Sequence, residues 1–220
     1  LISINQAREN RLVLEFSDTL ITKPKNIGVT VFDDFSIKKL VNYIDWTPFF
    51  QTWELHGRFP KILDDDVVGE EAKKLYDDAV EMLNQVVNDN LIKAKAVLGL
   101  FPANSVGDDI EIYDSVEQDK CIHIQRTLRQ QLKKASGQPN IALSDFIAPK
   151  SSGIKDYIGA FVVTTGIGLD EIVSKFEADN DSYNSILIKA IADRLAEAMA
   201  EYMHEYVRKE LWAYSKNESL

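Results

Sequence analysis

Cysteine is almost absent: Cys121 is the single one in 220 residues. An internal disulfide is therefore excluded. The chain fits a reducing, cytoplasmic setting in which a packed core, not cross-links, holds the fold. Histidine is nearly as scarce. His56, His123 and His204 stand far apart with no ligand-spaced companions, which argues against a zinc site. Positive charge is in deficit, with 25 Lys and Arg against 35 Asp and Glu, for a net charge of -10. A surface this acidic argues against nucleic acid and anionic membranes as partners. No apolar run approaches the ~20 residues of a membrane-spanning helix. The opening LISINQAREN has no basic region followed by an apolar one, as a secretion signal would. The chain begins at Leu1 and stops after SKNESL, which we read as a piece of something longer.

What is present is an ordinary globular composition, 45% hydrophobic, in a length that buries most of its apolar surface without staples. RLVLEF and IGVTVF read as short strands, and FSIKKLVNYI as a short helix capped by Ser36. A helix is predicted over residues 66–88, with Val68, Ala72, Leu75, Ala79, Met82, Leu83 and Val86 on one face and Asp66 as its N-cap. KAVLGLFPA reads as a buried strand closed by Pro102, and DDIEIYD as a half-buried one, with a turn between them. CIHIQRTL and DYIGAFVVTTG follow as strands. TTGIGLDE then turns into a helix over about residues 169–178. The last helix is predicted over 182–212, with a core stripe of Leu187, Ile191, Leu195, Ala198, Tyr202 and Tyr206. Strands and helices do not alternate regularly. The expected class is therefore α+β: an antiparallel β-sheet flanked by helices, ending in a long amphipathic helix.

Catalytic signatures are few. Cys121 and His123 point to one side of a strand and form a conceivable nucleophile pair, but a packed thiol is the better reading. On the last helix Asp193 and Glu197 lie nearly opposite the core stripe, one turn apart, and Glu201 continues the drift. Two readings stay open: a solvated face softened by Arg194 and Arg208, or a docking surface.

The stretch DWTPFFQTWELHGRFP, residues 45–60, holds two Trp, three Phe and two Pro with neither helical period nor alternation. It reads as a loop. Either its rings pack onto a core, or they wall a pocket in which Asp45 is the polar contact beside Trp46 and Phe49.

That stretch, with GLFPANSVGDDIEIY, LRQQ, LSDFIAPKSSGIKDYIGAFVVTTG and SYNSILIKAIADRLAEAMAEYMHEYVRKELWAYSKNE, resembles the activation domain of cobalamin-dependent methionine synthase, in the family's order across nearly all of residues 25–217. The resemblance implies an activation domain over 25–220 with residues 1–24 leading in from a preceding module. It implies a part of a methyltransferase that binds S-adenosyl-L-methionine and supports reductive methylation of cob(II)alamin in methionine biosynthesis. Cobalamin itself would sit on another module, and the electron would come from flavodoxin or a flavodoxin-like reductase. Asp45 matches the family's S-adenosylmethionine-contacting aspartate, with Trp46 and Phe49 in the pocket wall. Asp193 and Glu197 match acidic positions that face the cobalamin domain during reactivation. The family's Arg-x-x-x-Gly-Tyr-Pro motif is not found in these 220 residues; it would follow SKNESL, so the domain is expected to be truncated before it and to bind its ligand weakly alone. A truncated domain also has uncovered apolar surface through which to pair with itself. Two other classes compete: a free-standing enzyme using Cys121 and His123, and a docking module with an acidic helix and no small-molecule ligand.

Overall fold

Two strands meet at Gly107. β2 (Lys93–Val106) and β3 (Asp109–Tyr113) pair antiparallel from Ala103↔Ile112 to Val106↔Asp109. Gly107, at φ +63°, supplies the left-handed residue that so tight a turn requires. β4 (Cys121–Arg126) adds antiparallel to β3. β1 (Gly28–Phe35) and β5 (Asp156–Ile167) both pair with β2, which completes a five-stranded sheet. The helices are α1 (Ile4–Glu9), α2 (Thr47–Thr52), α3 (Gly69–Asn88), α4 (Leu169–Ala178) and α5 (Ser182–Tyr206), the last followed by a π-helical turn over Val207–Leu211. This computed structural model describes residues 1–218. It has the expected α+β class: an antiparallel sheet, flanking helices and a long C-terminal helix.

The chain divides into two compact units, one of residues 1–30, 98–160 and 207 onward, the other of residues 31–97 and 161–206. The second unit is built on α5. Leu187, Ile188, Ile191, Leu195, Met199 and Met203 of that helix are buried, and α2, α3 and α4 pack against it. From α3 come Ala72, Leu75, Ala79, Met82, Leu83 and Val86, the predicted stripe save for half-buried Val68. Each large side chain buried this way stabilises the fold by about 1.5–3 kcal/mol. The first residue of α3 is a glycine because a Cβ there would come within 2.8 Å of the Leu63 carbonyl oxygen.

The first unit is held by a polar network. Arg129 donates from Nε to Asp108 (2.8 Å) and from Nη1 and Nη2 to Asp145 (2.8 and 2.6 Å). It also donates to the Asn140 carbonyl (2.7 Å). Arg8 of α1 closes on the other oxygen of Asp108 at 2.7 Å. α1 was not anticipated, although Ser3 and Gln6 form a capping box whose Ser-x-x-Gln spacing is visible in the sequence.

Four local expectations give way. RLVLEF forms no strand: its apolar alternation finds no strand to pair with among the described residues, and Val13 is left 75% exposed. FSIKKLVNYI forms two separate 3-10 turns, Ile37–Lys39 and Val41–Tyr43, and Ser36 makes no capping bond. Asp65, not Asp66, serves the start of α3, accepting from the amides of Val67 (2.9 Å) and Val68 (3.1 Å). Those two amide bonds hold the Asp65 carboxyl below its usual range. Pro102 does not close β2, because a proline removes only one donor and pairing resumes at Ala103.

Candidate functional site

The aromatic stretch is helical where a loop was expected. Pro48 sits in the first turn of α2, where its missing N–H has no helical partner to lose and its φ suits a helix start. Phe49 and Phe50 are 0% exposed, and Trp46 is 8% exposed. Trp46 meets Phe49 edge-to-face at 5.3 Å and Tyr76 of α3 at 5.1 Å. The rings are therefore a rigid platform under the start of α2. Asp45 stands in front of it, exposed to solvent. One carboxylate oxygen accepts from the Thr47 amide at 2.9 Å, which ties the side chain to the helix start. Its second oxygen takes no hydrogen bond among the described residues. A fixed carboxylate with one open oxygen suits a cationic ligand group.

The approach to Asp45 is braced on α5. Tyr43, two residues before it, donates its hydroxyl to Glu205 at 2.7 Å. That hydrogen bond, then burial and the negative charge of Glu205, push the Tyr43 phenol up to about 12. Its ring meets Tyr202 edge-on at 5.5 Å, and Tyr202 stacks with Tyr206 at 5.8 Å. Phe35 packs on Tyr202 (5.0 Å) and Phe32 on Tyr206 (6.1 Å). The lower part of the predicted core stripe is thus an aromatic cluster, half-buried, while Leu187, Ile191, Leu195 and Ala198 are buried as expected.

Asp193 and Glu197 are exposed on α5, the helix against which α2 packs. Asp193 is paired with its neighbour Arg194. Arg208 is engaged elsewhere, with Glu218 at 2.7 Å. Sequence reasoning brought Asp45, Asp193 and Glu197 forward separately; the structure sets them on packed elements of one unit. It missed Tyr43 and Glu205, whose pairing across 162 residues leaves no local signal.

Cys121 and His123 do not form a packed site. Both are exposed on β4, and the Cys121 thiol donates to the His123 carbonyl at 3.4 Å, not to its ring. The thiol is not packed because all of β4 is exposed.

Residues 36–220 match the family model described as vitamin B12 dependent methionine synthase, activation domain. A solved relative, the MetH reactivation domain bound to AdoHcy, superposes with a TM-score of 0.93 at 48% sequence identity. The match covers 100% of this chain and 67% of that one. No described helix is long and apolar enough to cross a membrane. On the extent of the family match and the identity to the solved relative, this chain belongs to the activation-domain family of vitamin B12-dependent methionine synthase.

Proposed function

We propose that this chain binds S-adenosyl-L-methionine and serves the reactivation of a cobalamin-dependent methionine synthase, in the cytoplasm, within methionine biosynthesis. The observation that carries the reading is the exposed Asp45 carboxylate, fixed by the Thr47 amide with one oxygen open. S-adenosylmethionine carries a sulfonium and an ammonium group, and Coulomb attraction to a carboxylate orients either one. The AdoHcy held by the solved relative is the same molecule less its methyl. In this reading Asp45 binds the cationic part of the ligand, held by the Thr47 amide, and Trp46 and Phe49 form the buried layer of the pocket wall, not its ligand-facing surface. Asp193 and Glu197 dock the cobalamin-binding module, as suits a polar, reversible interface. Cobalamin, bound by that module, supplies the methyl acceptor. Flavodoxin or a flavodoxin-like reductase supplies the electron. The domain proper is taken as 25–220, with 1–24 leading in. The chain is part of a methyltransferase and is not catalytic alone.

Calorimetric titration of S-adenosylmethionine tests this, on this chain and on a form extended C-terminally toward the relative's length. The extended form is expected to saturate, this chain to bind weakly, and Asp45→Ala in the extended form to weaken binding about tenfold, the size of one charge-assisted contact. An extended form that does not bind, or binds equally well without the Asp45 carboxylate, overturns the assignment. A docking module with no ligand of its own then becomes the account.

A further inference from the structure

The first unit holds a cleft of about 590 Å³ that the reading above does not use. It lies between the β2–β3 turn, the segment around Ser144–Ser151 and the strap of residues 11–16. Its charged lining runs against the rest of the molecule. In a protein of net charge -10, Arg8, Arg11, Arg129 and Lys150 face it with Asp108 and Asp145. Arg129 is fully committed to the two aspartates and Asn140. Arg8 gives only Nε to Asp108, so its terminal nitrogens have no partner among the described residues. The Arg11 side chain has no hydrogen bond or ion pair among the described residues. Ser144 adds an independent sign. It lines the cleft, is 1% exposed, and its hydroxyl meets no hydrogen-bond partner among the described residues. A buried hydroxyl in that condition is unfavourable until something completes it. Beside these donors the strap presents apolar surface, with Val13 75% exposed.

We propose that this cleft binds a small amphipathic oxyanion, a carboxylate or phosphate group on an apolar body. Arg8 and Arg11 hold the charged end, since a guanidinium fork matches the oxygen pairs of either group. The Ser144 hydroxyl donates the remaining hydrogen bond, and the apolar body lies along Val13 and Ile147. Lys150 is held by Glu111 at 2.7 Å, and Arg8 and Arg129 face Asp108 and Asp145, so the unbalanced charge of Arg11 is what disfavours cations. A polyanion such as nucleic acid is rejected by the acidity of the whole surface.

Amide-resolved NMR titration of the full chain tests the site with four probes: octanoate, octyl phosphate, inorganic phosphate and neutral octanol. Octanoate, octyl phosphate or both are expected to saturate below about 10 mM, moving amides of residues 105–108 and 143–151; which of them saturates names the headgroup. Arg11→Gln removes an exposed group without partners, so it folds as the parent does. It is expected to weaken binding about tenfold, and Ser144→Ala about threefold. The site is overturned if neither octyl anion saturates, if Arg11→Gln binds as tightly as the parent, or if octanol produces the same shifts. Inorganic phosphate binding as tightly as octyl phosphate overturns the part given to the apolar wall.

Discussion

Tyr43 and Cys121 show what single side chains do outside the ligand question. The Tyr43 phenol, ordinarily near 10.0, is raised to about 12 by its bond to Glu205, because the protonated form is the one that donates. The stability it contributes is therefore whole below pH 10 and is lost as pH climbs through about 12. Thermal melts across that range should show a loss that Tyr43→Phe lacks. At neutral pH the same substitution should cost about 1 kcal/mol, the worth of one partly exposed hydrogen bond. Cys121 is exposed, so it should react with a thiol reagent in the native state at one equivalent. Cys121→Ala should leave the free energy of urea unfolding unchanged within about 0.5 kcal/mol; slow labelling would mean the thiol is covered.

Among the elements, α5 carries two faces with opposite demands. Leu195 is 0% exposed at the centre of the second unit, and Leu195→Ala should cost about 2–5 kcal/mol in urea unfolding. Asp193→Asn with Glu197→Gln changes only exposed positions. The pair should leave the free energy of urea unfolding within about 0.5 kcal/mol of the parent while weakening association with a cobalamin-loaded partner module. The start of α3 adds a third case. Alanine favours a helix over glycine by about 1 kcal/mol, yet Gly69→Ala drives a methyl against the Leu63 carbonyl. Backbone cannot step aside as a side chain does, so a net loss of about 1–2 kcal/mol is expected.

On the scale of the whole molecule, acid sensitivity should follow the Arg129 network. Burial by itself would raise the Asp108 carboxyl. The hydrogen bonds and charges of Arg8 and Arg129 outweigh it and hold the group below 3.8. A depressed folded value means stability that is present above pH 3.8 and lost as pH falls below it. Arg129→Ala leaves Asp108 and Asp145 without their shared cation at a 1% exposed position. It should cost about 3–5 kcal/mol by chemical denaturation at pH 7. Arg8→Ala, at a 54% exposed position, should cost under about 1 kcal/mol.

Period and turn chemistry carry far in this chain. The α3 stripe, the Gly107 hairpin, β5 and the buried part of α5 follow from spacing alone, because neighbours within a helix or hairpin are neighbours in sequence. The capping box at Ser3 and Gln6 and the Pro48 helix start were equally local, and were legible though passed over. Asp45, Trp46, Phe49, Asp193 and Glu197 came forward from residue type and helical spacing, and motif resemblance then attached roles to them; neither records their surroundings. Only the tertiary structure decided that RLVLEF would find no partner strand, that Trp46 and Phe49 are buried while Asp45 stays exposed, and that Tyr43 reaches Glu205. The same holds for Arg129, which gathers Asp108 and Asp145. Each of these depends on which distant surfaces meet, and no periodicity in the chain records that.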